Sequence, residues 1–109
     1  MIPPFTTLRV YGKKIAVKFF DNAKFRAFAA SVEASPTAVG LSHANFGWVV
    51  VKTDQSFGEM QDTLLHEIIH VIDYQNGTDM TEQQVKMTAT GLLAVLKDNK
   101  EFAKWLIKE

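Results

Sequence analysis

The stretch from Leu64 to Asp73, reading Leu-Leu-His-Glu-Ile-Ile-His-Val-Ile-Asp, restricts what this chain can fold into more than any other segment. Its apolar residues do not alternate as a half-buried strand requires. Advanced by about 100° per residue, Leu64, Leu65, Ile68, Ile69, Val71 and Ile72 collect on one arc of about 160°. His66, Glu67, His70, Asp73 and Tyr74 collect on the opposite arc, about 120° wide and without an aliphatic residue. The pattern predicts a helix pinned to a sheet by one side, with two imidazoles and a carboxylate held out from the other.

That polar face is not the Lys, Glu and Gln face of an ordinary amphipathic helix. Residues four apart on a helix lie one above the other, so His66 and His70 can offer two ring nitrogens to a single metal ion. Glu67 falls on the adjoining flank, beside the ion, where a carboxylate can take a proton from a metal-activated water. A hydrolytic zinc site needs a third protein ligand and one open position. With no cysteine in the chain, the downstream candidates are Asp73, Asp79 and Glu82. Asp73 shares the helix with the histidines, and three ligands on one straight helix seldom converge tetrahedrally. It reads instead as a carboxylate orienting an imidazole, or as a solvated residue near the helix end. Glu82 opens the next helix after the turn at Gly77, and a helix doubling back would aim it at the histidine pair. Glu82 is the favoured ligand and Asp79 the alternative, while a plain reading of Glu82 as an acid suited to a helix N-terminus stands beside them.

Before this helix, Thr7 to Tyr11 and Ile15 to Phe20 are rich in β-branched and aromatic residues and predict a hairpin around Gly12-Lys13-Lys14. Asp21 or Asn22 caps a helix carrying Phe25, Phe28, Ala29 and Val32 inward, which should stop before Ser35-Pro36. Val39 to Ala44 and Gly47 to Thr53 predict a second hairpin around Asn45-Phe46, and the unalternating Trp48-Val49-Val50-Val51 predicts a strand covered on both faces. His43 lies at the tip of that hairpin, either as a surface or packing residue or as a candidate stabiliser of an oxyanion.

Ser56-Phe57-Gly58-Glu59 is a capping box that starts the long helix near Phe57, and Gly77 supplies a left-handed cap at its end. Thr81-Glu82-Gln83-Gln84 repeats the box for the next helix, whose inward residues would be Val85, Ala89, Leu92, Leu93 and Leu96, with Gly91 marking a close helix approach. A last short helix from Asp98 or Asn99 would turn Phe102, Trp105 and Leu106 inward to close the core.

These elements predict one α+β domain over residues 1–109, a small, mostly antiparallel sheet packed on the histidine-bearing helix with further helices around it. At 47% hydrophobic residues the chain has ample material for a core. Twelve basic residues balance twelve acidic ones and form no stripe, which argues against a nucleic-acid partner. Met1-Ile2-Pro3-Pro4 lacks the build of a signal peptide and no apolar run approaches membrane-spanning length, so the expected location is the cytoplasm, without a membrane partner.

On Asp62-Thr63-Leu64-Leu65-His66-Glu67-Ile68-Ile69-His70, followed by Thr81-Glu82-Gln83-Gln84-Val85 and Leu92-Leu93, the chain resembles the small zincin-like metallopeptidases of bacteriophages and prophages. It is more distantly similar to the metallopeptidase domain of the ImmA/IrrE type, which in that family cleaves a transcriptional repressor. The likeness runs from Trp48 onward. It implies a minimal zincin fold, Zn²⁺ on His66, His70 and a downstream carboxylate, Glu67 as general base, and hydrolysis of peptide bonds. It also implies that the Trp48-Val51 strand runs beside the active-site helix, its outer edge aligning a peptide or protein substrate by strand addition. The third histidine of metzincins is absent, and Gly77-Thr78-Asp79 does not complete the G-T-x-x-D element of aspartate-ligated zincins. A phage-encoded member would act in the host cytoplasm. The competing expectation is a metal-stabilised binding or regulatory module that keeps the site without turnover.

Overall fold

The computed structural model describes residues 3–35, 37–45 and 47–109. In chain order the elements are β1 (Thr7–Val10), β2 (Lys13–Phe20), α1 (Asn22–Ser31), β3 (Gly40–His43), β4 (Trp48–Lys52), α2 (Phe57–Asn76), α3 (Glu82–Asp98) and α4 (Lys100–Leu106). The strands form one sheet in the order β1-β2-β4-β3, giving the α+β architecture that the sequence predicts. Both hairpins pair antiparallel, and β2 runs parallel to β4, the pairing that joins them into one sheet.

The first hairpin closes more tightly than expected. Tyr11 and Gly12 have φ of 51° and 79°, the left-handed pair that a two-residue turn demands. Lys13 and Lys14 therefore belong to β2, paired with Val10 and Arg9. In the crossover, the Asp21 carboxylate accepts the Lys24 N–H at 2.8 Å to start α1. Phe25 and Ala29 of this helix pack on Val50, whereas Val32 sits at the C-cap and is exposed. The helix ends at Ser31, before the Ser35-Pro36 stop; Pro36, like Phe46 in the second turn and Met1-Ile2, lies outside the described residues.

The strand β4 is covered on both faces, as its unbroken valine run predicts. Val50 faces α1, while Val49 and Val51 face Met60 and Val71 of α2. Being interior, however, β4 has no outer edge to offer. The free edge beside α2 belongs to β3.

Both capping boxes of the long helices form. Ser56 and Glu59 close the start of α2, Gly77 ends it at φ 66°, and Thr81 and Gln84 close the start of α3. The apolar arc of α2 is divided between two neighbours. Leu64, Ile68 and Ile72 pack with Val71 toward the sheet, and Leu65 and Ile69 pack on Val85 and Ala89 of α3.

Two expectations for the C-terminal part fail. A Cβ on Gly91 would meet nothing within 4 Å, so no helix approaches there. On α4, Phe102, Trp105 and Leu106 are exposed, Trp105 at 70%. The cause is geometric: α3 folds back along α2, with Thr90 beside Asp62, and it turns Leu93 and Leu96 toward the cleft lined by Phe57, Gln61 and Leu64 of α2. Leu92 and Val95 are left exposed, and α4, which leans on α3, projects from the core instead of closing it. Among the described residues no helix is long and apolar enough to cross a membrane.

Candidate metal centre

One turn apart on α2, the His66 and His70 rings lie with centroids 4.9 Å apart and planes at 70°. Their Nε2 atoms approach to 3.2 Å. Glu82, the first residue of α3, spans the pair, with Oε1 2.6 Å from His66 Nε2 and Oε2 3.1 Å from His70 Nε2. Two imidazole nitrogens aimed at one point repel unless a proton or a cation lies between them. The carboxylate supplies negative charge at that same point. Side-chain exposure rises from 18% at His66 and 30% at His70 to 70% at Glu82, so the cluster is rooted in the protein and open on the Glu82 side.

The chemistry and spacing of this donor set suit a zinc ion. The ligating atoms of His66, His70 and Glu82 all lie within 4.8 Å of one another. Nitrogen and oxygen ligands at about 2.1 Å on a tetrahedral ion stand about 3.4 Å from each other. The 3.2 Å between the two ring nitrogens nearly meets that spacing. Glu82 meets the two rings through its two separate oxygens, at 2.6 and 3.1 Å, and as the most exposed of the three residues it is the one most able to adjust. Three protein ligands would leave a fourth position for water.

The chain reversal between α2 and α3 sets the position of Glu82, and Asp73 holds that reversal. The Asp73 carboxylate accepts from the Thr78 hydroxyl and from the Met80 N–H, the latter at 3.2 and 3.3 Å to its two oxygens. Gly77 makes the left-handed step that lets the chain double back. Asp73 thus braces the turn rather than an imidazole. Asp79 is exposed and stands outside the cluster.

Glu67 points from α2 toward β3 and is only 7% exposed. Burial pushes its carboxyl above the ordinary carboxylate range; the Ser42 side chain and His70 pull the other way, and the charge on Glu82 adds to the rise. The strand comes this close because residue 40 is glycine. A Cβ there would lie 2.5 Å from the Thr63 methyl and 3.0 Å from Glu67 Oε2. The same junction is tied by Gln55, which accepts from the Thr63 hydroxyl at 2.9 Å and donates to the Lys52 carbonyl at 2.6 Å.

A cleft of about 580 Å³ opens between α2 and β3, lined in part by Gly40, Ser42, His66, Glu67, His70 and Tyr74. The backbone register tells which strand groups face it. Val39 C=O accepts from Lys52 N–H at 3.0 Å. Alternation then turns the backbone groups of Leu41 and His43 toward β4 and those of Gly40 and Ser42 to the open edge. Side chains alternate between faces along the strand, so His43, next to Ser42, is turned away from the cluster. Its ring packs on Trp48, which packs in turn on Phe28 of α1, on the sheet face opposite Ser42 and Glu67.

The structure thus brings together His66, His70, Glu82 and Glu67, and leaves Asp73, Asp79 and His43 out of the group. Sequence reasoning did not single out Gly40, Ser42, Thr63 or Gln55. Gly40 did carry a signal, since a glycine inside a strand marks a close approach. Comparison of the chain with protein-family models, with curated proteins and with solved structures finds no match. Fold and cluster together define an α+β domain with a candidate His₂-carboxylate centre on a helix hairpin.

Proposed function

We propose that the chain is a zinc-dependent metallopeptidase. The observation that carries this reading is the convergence of His66, His70 and Glu82 on one point with the buried carboxyl of Glu67 beside it. Bound there, Zn²⁺ supplies Lewis acidity, polarising the scissile carbonyl and acidifying a water. Glu67 takes the proton released as the water attacks and hands it to the leaving amine. The outward backbone groups of Gly40 and Ser42 can pair with an extended substrate and lay its scissile bond across the cleft. On this reading the chain groups with the small zincin-like metallopeptidases of phages and prophages, acts in the cytoplasm, and takes a peptide or protein as its partner.

The test pairs metal analysis with turnover. Purified native protein should hold one zinc per chain and cleave members of a fluorogenic peptide library, and Glu67→Gln should keep the zinc and lose cleavage. Zinc-loaded native protein that cleaves no peptide would instead support a metal-stabilised binding module. Loss of zinc binding in His66→Ala is the control for the site itself.

A further inference from the structure

We infer that Tyr74 is a catalytic residue of this site, its phenol donating a hydrogen bond to the carbonyl oxygen that gains charge during hydrolysis. The inference rests on the metallopeptidase reading and adds a group to it. Tyr74 lies on α2 four residues after His70, on the same face. Helical side chains lean toward the helix N-terminus, which at this position is the direction of His70. It lines the same cleft as His66, Glu67, His70 and Glu82 and is 58% exposed.

The other uncharged side-chain donors of that cleft are engaged. Ser42 is turned to Glu67, and Ser35 shares a 2.9 Å hydrogen bond with Thr37. Among the described residues no hydrogen bond ties the Tyr74 phenol to the protein. His43, the candidate from the sequence, stands on the other face of the sheet. The attack of water puts an electron pair on the carbonyl oxygen. On collapse the C–N bond breaks and the amine leaves with the proton carried by Glu67. The phenol only donates a hydrogen bond throughout and keeps its own proton, so it acts where charge develops rather than where substrate first binds.

The experiment compares native and Tyr74→Phe full-length chains, both zinc-loaded, for zinc content, kcat and KM on a cleaved peptide, and affinity for a phosphinic peptide that mimics the tetrahedral geometry. The expected result is unchanged zinc content, a kcat lower by about 100-fold with little change in KM, and phosphinic affinity weakened to a similar degree. A Tyr74→Phe variant matching the native protein in both kcat and phosphinic affinity would overturn the inference and leave the hydrolase reading standing. Native protein that carries zinc yet neither cleaves peptides nor binds the phosphinic peptide would overturn both.

Discussion

At the scale of single residues, Gly40 decides whether Glu67 can stand where it does. Gly40→Ala forces a methyl into the space held by the Thr63 methyl and the Glu67 carboxylate. Overpacking of this kind costs about 1–3 kcal/mol. Urea denaturation should show that loss, and on the metallopeptidase proposal peptide cleavage should fall while zinc content holds, because the proposed ligands lie on other side chains. Adding Thr63→Ser removes the clashing methyl yet keeps a hydroxyl for Gln55, so the double variant should recover part of the stability. Zinc content that fell with Gly40→Ala would show the strand to be positioning the ligands too. The histidines and Glu67 were legible because spacing on one helix is a local property. Gly40 was only a glycine in a strand until β3 was placed against α2.

At the scale of elements, the helix hairpin depends on its caps and its turn. Ser56→Ala should lower stability by about 1 kcal/mol in chemical denaturation, since the Ser56 side chain accepts the Glu59 N–H at 3.2 Å and Glu59 accepts the Ser56 N–H at 2.9 Å. The Ser56 N–H, and after it the Ser56 hydroxyl, hold the Glu59 carboxyl below its ordinary value near 4.5. A carboxyl depressed by folding adds stability that is fully present above the unfolded value and fades as pH falls through the folded one. The advantage of native protein over Glu59→Gln should therefore shrink on acidification from neutral pH, and an advantage that grew in acid would contradict this account. Both boxes and the Gly77 cap were readable because each involves residues within one turn. The inward face that spacing predicts for α4 stays exposed, because amphipathic spacing names a face without saying whether anything covers it.

At the scale of the molecule, His66 and His70 belong to α2 and Glu82 to α3, so a shared ion would tie the two helices across their turn. Zinc should raise the melting temperature, with a stabilisation of about 2.7 kcal/mol when free zinc is about a hundredfold above Kd. Differential scanning calorimetry with and without a chelator measures it. Glu82→Ala should shrink the shift, whereas Asp79→Ala, at an exposed position outside the cluster, should leave it intact. The reverse pattern would make Asp79 the third ligand.

The sequence alone determined what lies within a few residues along the chain: the two-faced helix, its caps, the histidine spacing and the valine strand that needs cover on both sides. These depend on backbone periodicity and short-range hydrogen bonds, which neighbouring residues set. Tertiary structure decided which strand offers its edge, which way His43 faces, what Asp73 braces, and that α4 projects from the core. It also chose Glu82 over Asp79 for the cluster. Each of those depends on where segments distant in sequence meet, and that follows from burial and chain reversal in the whole fold.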